Sequence, residues 1–225
     1  MLQNIFVTGT DTGVGKTHVT ALLLAELRRR GVRAAAMKPI ACGRDGRRDA
    51  EIYARSMGGE VAVDVLNPVY LRHPLAPSVA AKLERKRIDV GRIVKCYRQL
   101  AADYEVVLVE GAGGLMVPVR GNYFVASLAR ELGLPVLVVS RLGLGTINHT
   151  VLTVRQAEAE GLAVAGIVLN DTLGRAGLAE QTNPRVLAEL CEVKVLGVVP
   201  HGRRKGAAAA GKICDVMWGK RQRRA

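Results

Sequence analysis

The stretch Gly9-Thr10-Asp11-Thr12-Gly13-Val14-Gly15-Lys16-Thr17 constrains this chain more than any other. It follows an apolar run, Asn4-Ile5-Phe6-Val7, and precedes a helical pattern rich in Leu and Ala. From Thr10 the spacing fits a Walker A phosphate loop, except that Thr10 replaces the first Gly and Gly9 stands one residue earlier. Such a loop wraps an anion in consecutive backbone N–H groups, and Gly13 and Gly15 allow the tight curl. Lys16 would reach the β- and γ-phosphates and the Thr17 hydroxyl would bind Mg²⁺. The helix that begins here adds the positive end of its dipole.

The remaining strands end in polar residues. Residues 17–30 read as a helix stopped at Gly31, and residues 33–37 as a strand ending in Lys38-Pro39. The Gly- and Arg-rich segment 40–48 reads as a loop, and 49–57 as a helix with Asp49 in the N-cap position. Three prolines, Pro68, Pro74 and Pro77, make 61–87 a long crossover with a short helix near 78–87, and a further helix covers about 90–102. The apolar strand 105–109 ends in Glu110-Gly111-Ala112-Gly113-Gly114. An acid there can hold Mg²⁺ directly or through water, or can be a solvated loop residue. The glycines after it imply close approach of backbone to a ligand. Strand 135–140 leads into Gly143, Gly145, Thr146, Ile147 and Asn148, a second helix start able to take an anion. Strand 163–169 ends in Asn170-Asp171, where Asn170 is either a turn residue or a reader of a purine edge. Strand 193–199 ends in Pro200-His201-Gly202; His201 and His149 both read as loop residues.

Six strands alternating with helices predict an α/β fold, P-loop NTPase-like, with a mostly parallel central sheet covered by helices on both faces. Lys16, Lys38, Glu110, Asn170 and Pro200 all follow strand ends, so one cleft at the carboxyl edge of the sheet could hold them. The expected organisation is a single domain over 1–202 and a flexible basic tail over 203–225. That tail holds eight Lys/Arg against one Asp, more than half of the chain's +13 net charge, and reads as a solvated end rather than a binding arm. The four Cys are scattered without metal spacing, no apolar run is long enough for a bilayer, and no signal segment precedes the first strand. A cytoplasmic protein is the expectation.

The motifs Phe6 to Thr17, Met37-Lys38-Pro39-Ile40, Glu110 to Gly114, Leu144-Gly145-Thr146-Ile147-Asn148-His149 and Leu169-Asn170-Asp171 together resemble the dethiobiotin synthetases over roughly residues 3–202. The resemblance implies a ligase of biotin synthesis. In that family CO₂ forms a carbamate on one amine of 7,8-diaminononanoate, ATP phosphorylates it, and the second amine closes the ureido ring and expels phosphate. It further implies Lys38, Lys16 and Thr12 as catalytic residues. Thr17, Asp49 and Glu110 become Mg²⁺ ligands, which reverses the capping reading of Asp49. The nucleotide would lie along Thr12, Gly13, Val14, Gly15, Lys16, Thr17 and Gly113, with Asn170, Asp171, Pro200, His201 and Gly202 beside the base. Cys42 stands where many relatives carry a hydroxyl residue near the substrate. Gly145, Thr146, Ile147 and Asn148 would take the substrate carboxylate from a neighbouring subunit, so a homodimer is implied, with no nucleic acid and no membrane partner.

Two other classes fit the loop. A partitioning or site-selection ATPase acting on DNA or membrane has this fold and size, but carries an extra Lys near the loop start, where this chain has Thr10 and Asp11. An amidoligase for a corrinoid precursor would need a glutaminase domain for which 225 residues leave little room.

Overall fold

The computed structural model describes residues 2–174 and 177–220. The first half contains β1 (Ile5–Gly9), α1 (Lys16–Arg29), β2 (Ala34–Met37), β3 (Ile40–Cys42), α2 (Gly43–Ser56), α3 (Val63–Leu66), β4 (Val69–Leu71), α4 (Pro77–Leu83) and α5 (Val90–Asp103). The second contains β5 (Val106–Gly114), β6 (Pro118–Arg120), β7 (Tyr123–Phe124), α6 (Val125–Glu131), β8 (Val136–Arg141), α7 (Thr146–Ala159), β9 (Val164–Asn170), α8 (Leu178–Leu190), β10 (Val195–Val199) and α9 (Arg203–Trp218). Six strands form one sheet in the order β10-β9-β8-β1-β5-β2, every pair parallel. β1, β2 and the first six residues of β5 are buried at every position, which requires cover on both faces. The α/β, P-loop NTPase-like architecture expected from the sequence is the one observed.

The core is built on β1. Ile5, Phe6 and Val7 pack with Val19, Leu23, Leu24 and Leu27 of α1, each buried apolar side chain contributing about 1.5–3 kcal/mol. Val7 lies opposite Glu110 and Gly9 opposite Gly114, so the strand that launches the phosphate loop is in register with the strand that carries the acid.

Four sequence expectations differ from the structure. Segment 40–48 is not a loop: it contains β3, and α2 begins at Gly43, so Asp49 sits inside the helix and does not cap it. The two short pairings β3–β4 and β6–β7 escaped the strand pattern because each strand has at most three residues. β5 runs on through Gly114, and Gly111 serves packing: a Cβ there would meet Phe6 Cε1 and Val125 Cγ1 at 2.9 Å. The fourth concerns the expected flexible tail. Residues 203–218 form α9, which packs on α1 and β10; residues 221–225 lie outside the described residues.

The physical reason is a buried seam. Ala210, Ile213 and Cys214 enter the core, and Trp218 Nε1 donates to Gln3 O at 2.9 Å. Arg30 ties the two helices, donating to Glu26 Oε1 (2.6 Å), Asp215 Oδ1 (2.7 Å) and Gly211 O (2.7 Å). Arg30→Met should therefore lower unfolding stability by about 2–4 kcal/mol, because Asp215 and the Gly211 carbonyl lose a charged donor. A urea midpoint unchanged from wild type would remove Arg30 from the seam.

Candidate active site

The carboxyl edge of the sheet gathers the charged residues into one cleft of about 580 Å³. It is lined by Thr12, Gly13, Gly15, Lys16 and Thr17 of the phosphate loop and by Lys38, Cys42, Asp49, Glu110 and Gly113. Ile40, Pro74, Leu75, Pro77 and Val117 add apolar lining.

Glu110 is the centre of a buried network. Its side chain is fully buried, so the solvated-loop reading of this acid is excluded. Lys38 Nζ donates to Glu110 Oε1 at 2.6 Å and to Asp49 Oδ2 at 2.9 Å. Thr17 Oγ1 donates to the same Glu110 oxygen at 3.0 Å, and Tyr53 OH donates to Oε2. Burial pulls the Lys38 ammonium down, but Glu110 and then Asp49 outweigh it, so the group is held charged above the ordinary lysine value. Burial raises the Asp49 carboxyl, with Lys38 opposing.

Lys16 is differently placed. Its Nζ donates to the backbone carbonyl of Asp11 at 2.9 Å rather than to a carboxylate. Burial pulls its pKa down to about 8, with Glu110 opposing and Lys38 repelling. A buried cation of this kind is completed by an incoming anion. Burial pushes the Cys42 thiol up to about 11, so the group facing the cleft is neutral SH.

The loop is braced from behind. Asn170 is buried and donates through Nδ2 to Val14 O at 3.0 Å, so the side chain expected to read a purine stands under the phosphate loop. Asp11 accepts from Thr12 N at 2.7 Å and pairs with Arg141 at 2.8 Å. Ser140 Oγ lies 3.1 Å from both Thr10 and Thr146 hydroxyls and 2.6 Å from that of Thr150.

Lys16, Lys38, Thr12, Thr17, Cys42, Asp49, Glu110 and Gly113 thus meet in one cleft, whereas Asn170 and Pro200 do not line it. Asp171 lines a separate recess of about 220 Å³ with Thr12, Gly13, Arg141 and Leu173. His201 and Gly202, which follow Pro200, are exposed, with His201 against Gly174. Gly145 and Asn148 are exposed at the start of α7, Ile147 is half-buried and Thr146 is buried; none lines the Lys38 cleft.

Sequence reasoning missed Tyr53 and Asn67. Tyr53 stands four residues after Asp49, one helical turn along the same face, and that spacing could have found it. Tyr53→Phe should cost about 1–3 kcal/mol of stability by leaving buried Glu110 Oε2 without its donor. Thermal unfolding of the variant checks this; an unaltered midpoint would make the contact incidental.

A family model described as an AAA domain matches residues 3–207. The ATP-dependent dethiobiotin synthetase BioD of Anaeromyxobacter dehalogenans (strain 2CP-C) is 42% identical over 221 residues, covering 94% of this chain and 99% of the relative. The enzyme of the same name from Anaeromyxobacter sp. (strain Fw109-5) is 45% identical over 204 residues, 90% of this chain and 92% of the relative. Among solved structures, the septum site-determining protein MinD of Pyrococcus horikoshii, complexed with Mg-ADP, superposes with a TM-score of 0.65 over 96% of this chain and 95% of that one. At 18% identity that likeness speaks for the fold alone. Identity above two-fifths across nearly the full length of such relatives decides the kinship, and the chain belongs to the dethiobiotin synthetase family.

Proposed function

We propose that this chain is an ATP-dependent dethiobiotin synthetase that closes a ureido ring on 7,8-diaminononanoate with CO₂. One amine adds to CO₂ and loses a proton, giving a carbamate. A carbamate oxygen attacks the γ-phosphorus of ATP and ADP leaves. The second amine attacks the carbonyl of the mixed anhydride and loses a proton, phosphate leaves carrying that proton, and dethiobiotin forms. The observation that carries this reading is the meeting of Lys16, Thr17, Lys38, Asp49 and Glu110 in one cleft with an apolar face. Every reactant here is an anion or becomes one, so the site needs fixed cations and N–H donors rather than a nucleophile.

In this reading Lys16 meets the transferring phosphoryl group and Lys38 faces the carbamate, while Thr12 holds the loop between them. The hydroxyl of Thr17 and the carboxylates of Asp49 and Glu110 are hard oxygen donors suited to Mg²⁺, which would supply positive charge beside the phosphates when bound. Gly13, Val14, Gly15 and Gly113 offer backbone to the nucleotide. Asp171, Pro200, His201 and Gly202 would frame the base end, with Asn170 bracing the phosphate loop next to them through Val14 O. The apolar face of Ile40, Leu75 and Val117 suits an alkyl chain. The exposed start of α7, Gly145 to Asn148, suits the substrate carboxylate of a second subunit, which makes a homodimer the working assembly. A cytoplasmic location accords with this chemistry, and no described helix is long and apolar enough to cross a membrane.

Purified protein should release phosphate from ATP only when diaminononanoate, bicarbonate and Mg²⁺ are all present. Equal turnover without the diamine would defeat the proposal.

A further inference from the structure

Lys38 is pinned from other segments through its backbone as well as its ammonium. Its N–H donates to Leu66 O at 2.8 Å, and Asn67 Nδ2 donates to Lys38 O at 2.8 Å. The same Asn67 nitrogen reaches Val69 O at 3.0 Å, and Val69 N donates to Pro39 O at 3.2 Å. Residues 66–69 therefore clamp Lys38-Pro39 from both sides at the point where β2 ends. The clamp is needed because Pro39 has no N–H with which to continue a ladder.

The Asn67 side chain is 2% exposed. Its two amide hydrogens are spent on Lys38 O and Val69 O, and its carbonyl accepts from Arg47 Nη1 at 3.1 Å. Arg47 is held in turn by Asp64 Oδ1 at 2.7 Å and lies over the Tyr70 ring, 5.8 Å from its centroid. Arg47 and Asp49 both belong to α2, and Asp49 is bonded to the Lys38 ammonium. The contacts close a ring: Lys38 backbone, Asn67, Arg47, α2, Asp49, Lys38 side chain. Arg47 at its centre also forces the amide orientation, since a flipped amide would turn NH₂ toward a guanidinium.

We infer that Asn67, oriented by Arg47, is a positioning residue that fixes where the Lys38 ammonium stands for the reaction. This rests on the ligase reading above. Asn67 does not line the cleft; it acts through the backbone of Lys38, which is why its loss should leave the phosphate loop untouched. A misplaced cation costs rate in proportion to the charge it no longer meets in the transition state.

Asn67→Ala and Arg47→Ala are tested in the full-length protein for kcat, for KM of ATP and for ADP affinity. Asn67→Ala should lower kcat about 10- to 100-fold, the scale on which a displacement of about 1 Å at a reacting centre costs rate, with ADP affinity unchanged. Arg47→Ala should do the same more weakly, and serves alone should Asn67→Ala not fold. The decisive arm repeats each change on Lys38→Met, where the loss should vanish, because the two residues act as one unit. An equal fold-loss with and without Lys38 would mean general weakening of the fold and would overturn the inference, as would unchanged kcat in a folded variant. Should wild type prove inactive as a ligase, that failure belongs to the functional reading. The inference is then read on hydrogen exchange of the Lys38 ammonium protons by NMR. Faster exchange in the variants supports it and an unaltered rate overturns it.

Discussion

Lys38→Met should slow ring closure without silencing it, lowering kcat by about 10³-fold to a residual rate that can still be read, while ADP affinity changes little. Loss of a single preorganised charge in an excluded site is worth about 10²–10³; Lys38 also balances two acids, so more is lost than one contact. The variant leaves the buried Glu110 and the half-buried Asp49 without their shared cation. Breaking a buried pair costs about 3–5 kcal/mol, so the unfolding midpoint should fall as well. Met is chosen because it keeps most of the side-chain volume and removes only the charge. Phosphate release with all substrates present and ADP titration by calorimetry check both halves. Turnover at the wild-type rate would take Lys38 out of the mechanism.

Gly15→Ala should remove nucleotide binding, weakening ADP by about 100-fold or more. Gly15 adopts φ +93°, and an added Cβ would stand 2.0 Å from Asn170 Nδ2, an amide already bonded to Val14 O. The strained backbone alone costs about 1–3 kcal/mol, and relieving the overlap must displace either Asn170 or the loop. The double variant with Asn170→Ala separates the two causes. It should recover the part due to overlap and keep the part due to φ. Wild-type affinity in Gly15→Ala would mean that the loop has another resting shape.

What was legible in the chain was local. The phosphate loop announces itself because Gly13, Gly15, Lys16 and Thr17 each answer a separate requirement within nine residues. The strand ends were legible because a parallel sheet sends them to one edge, which is why Lys16, Lys38 and Glu110 could be put together before their contacts were known. Asp49 was harder. Gly43 and Gly46 make its approach look like a loop, and only the helix that begins at Gly43 turns the carboxylate inward. The alanine-rich run 207–210, flanked by glycines and basic residues, carries no amphipathic stripe strong enough to declare α9. Its order comes from burial of Ala210, Ile213 and Cys214 and from Arg30, 185 residues away from Asp215. Asn67 was invisible for the same reason: an Asn before a Pro reads as a turn, and its service to Lys38 crosses 29 positions.

Thr12 and Gly13 border both the larger cleft and the smaller recess. The phosphate loop thus gives residues to both hollows, so any change in its backbone shape alters the two linings together.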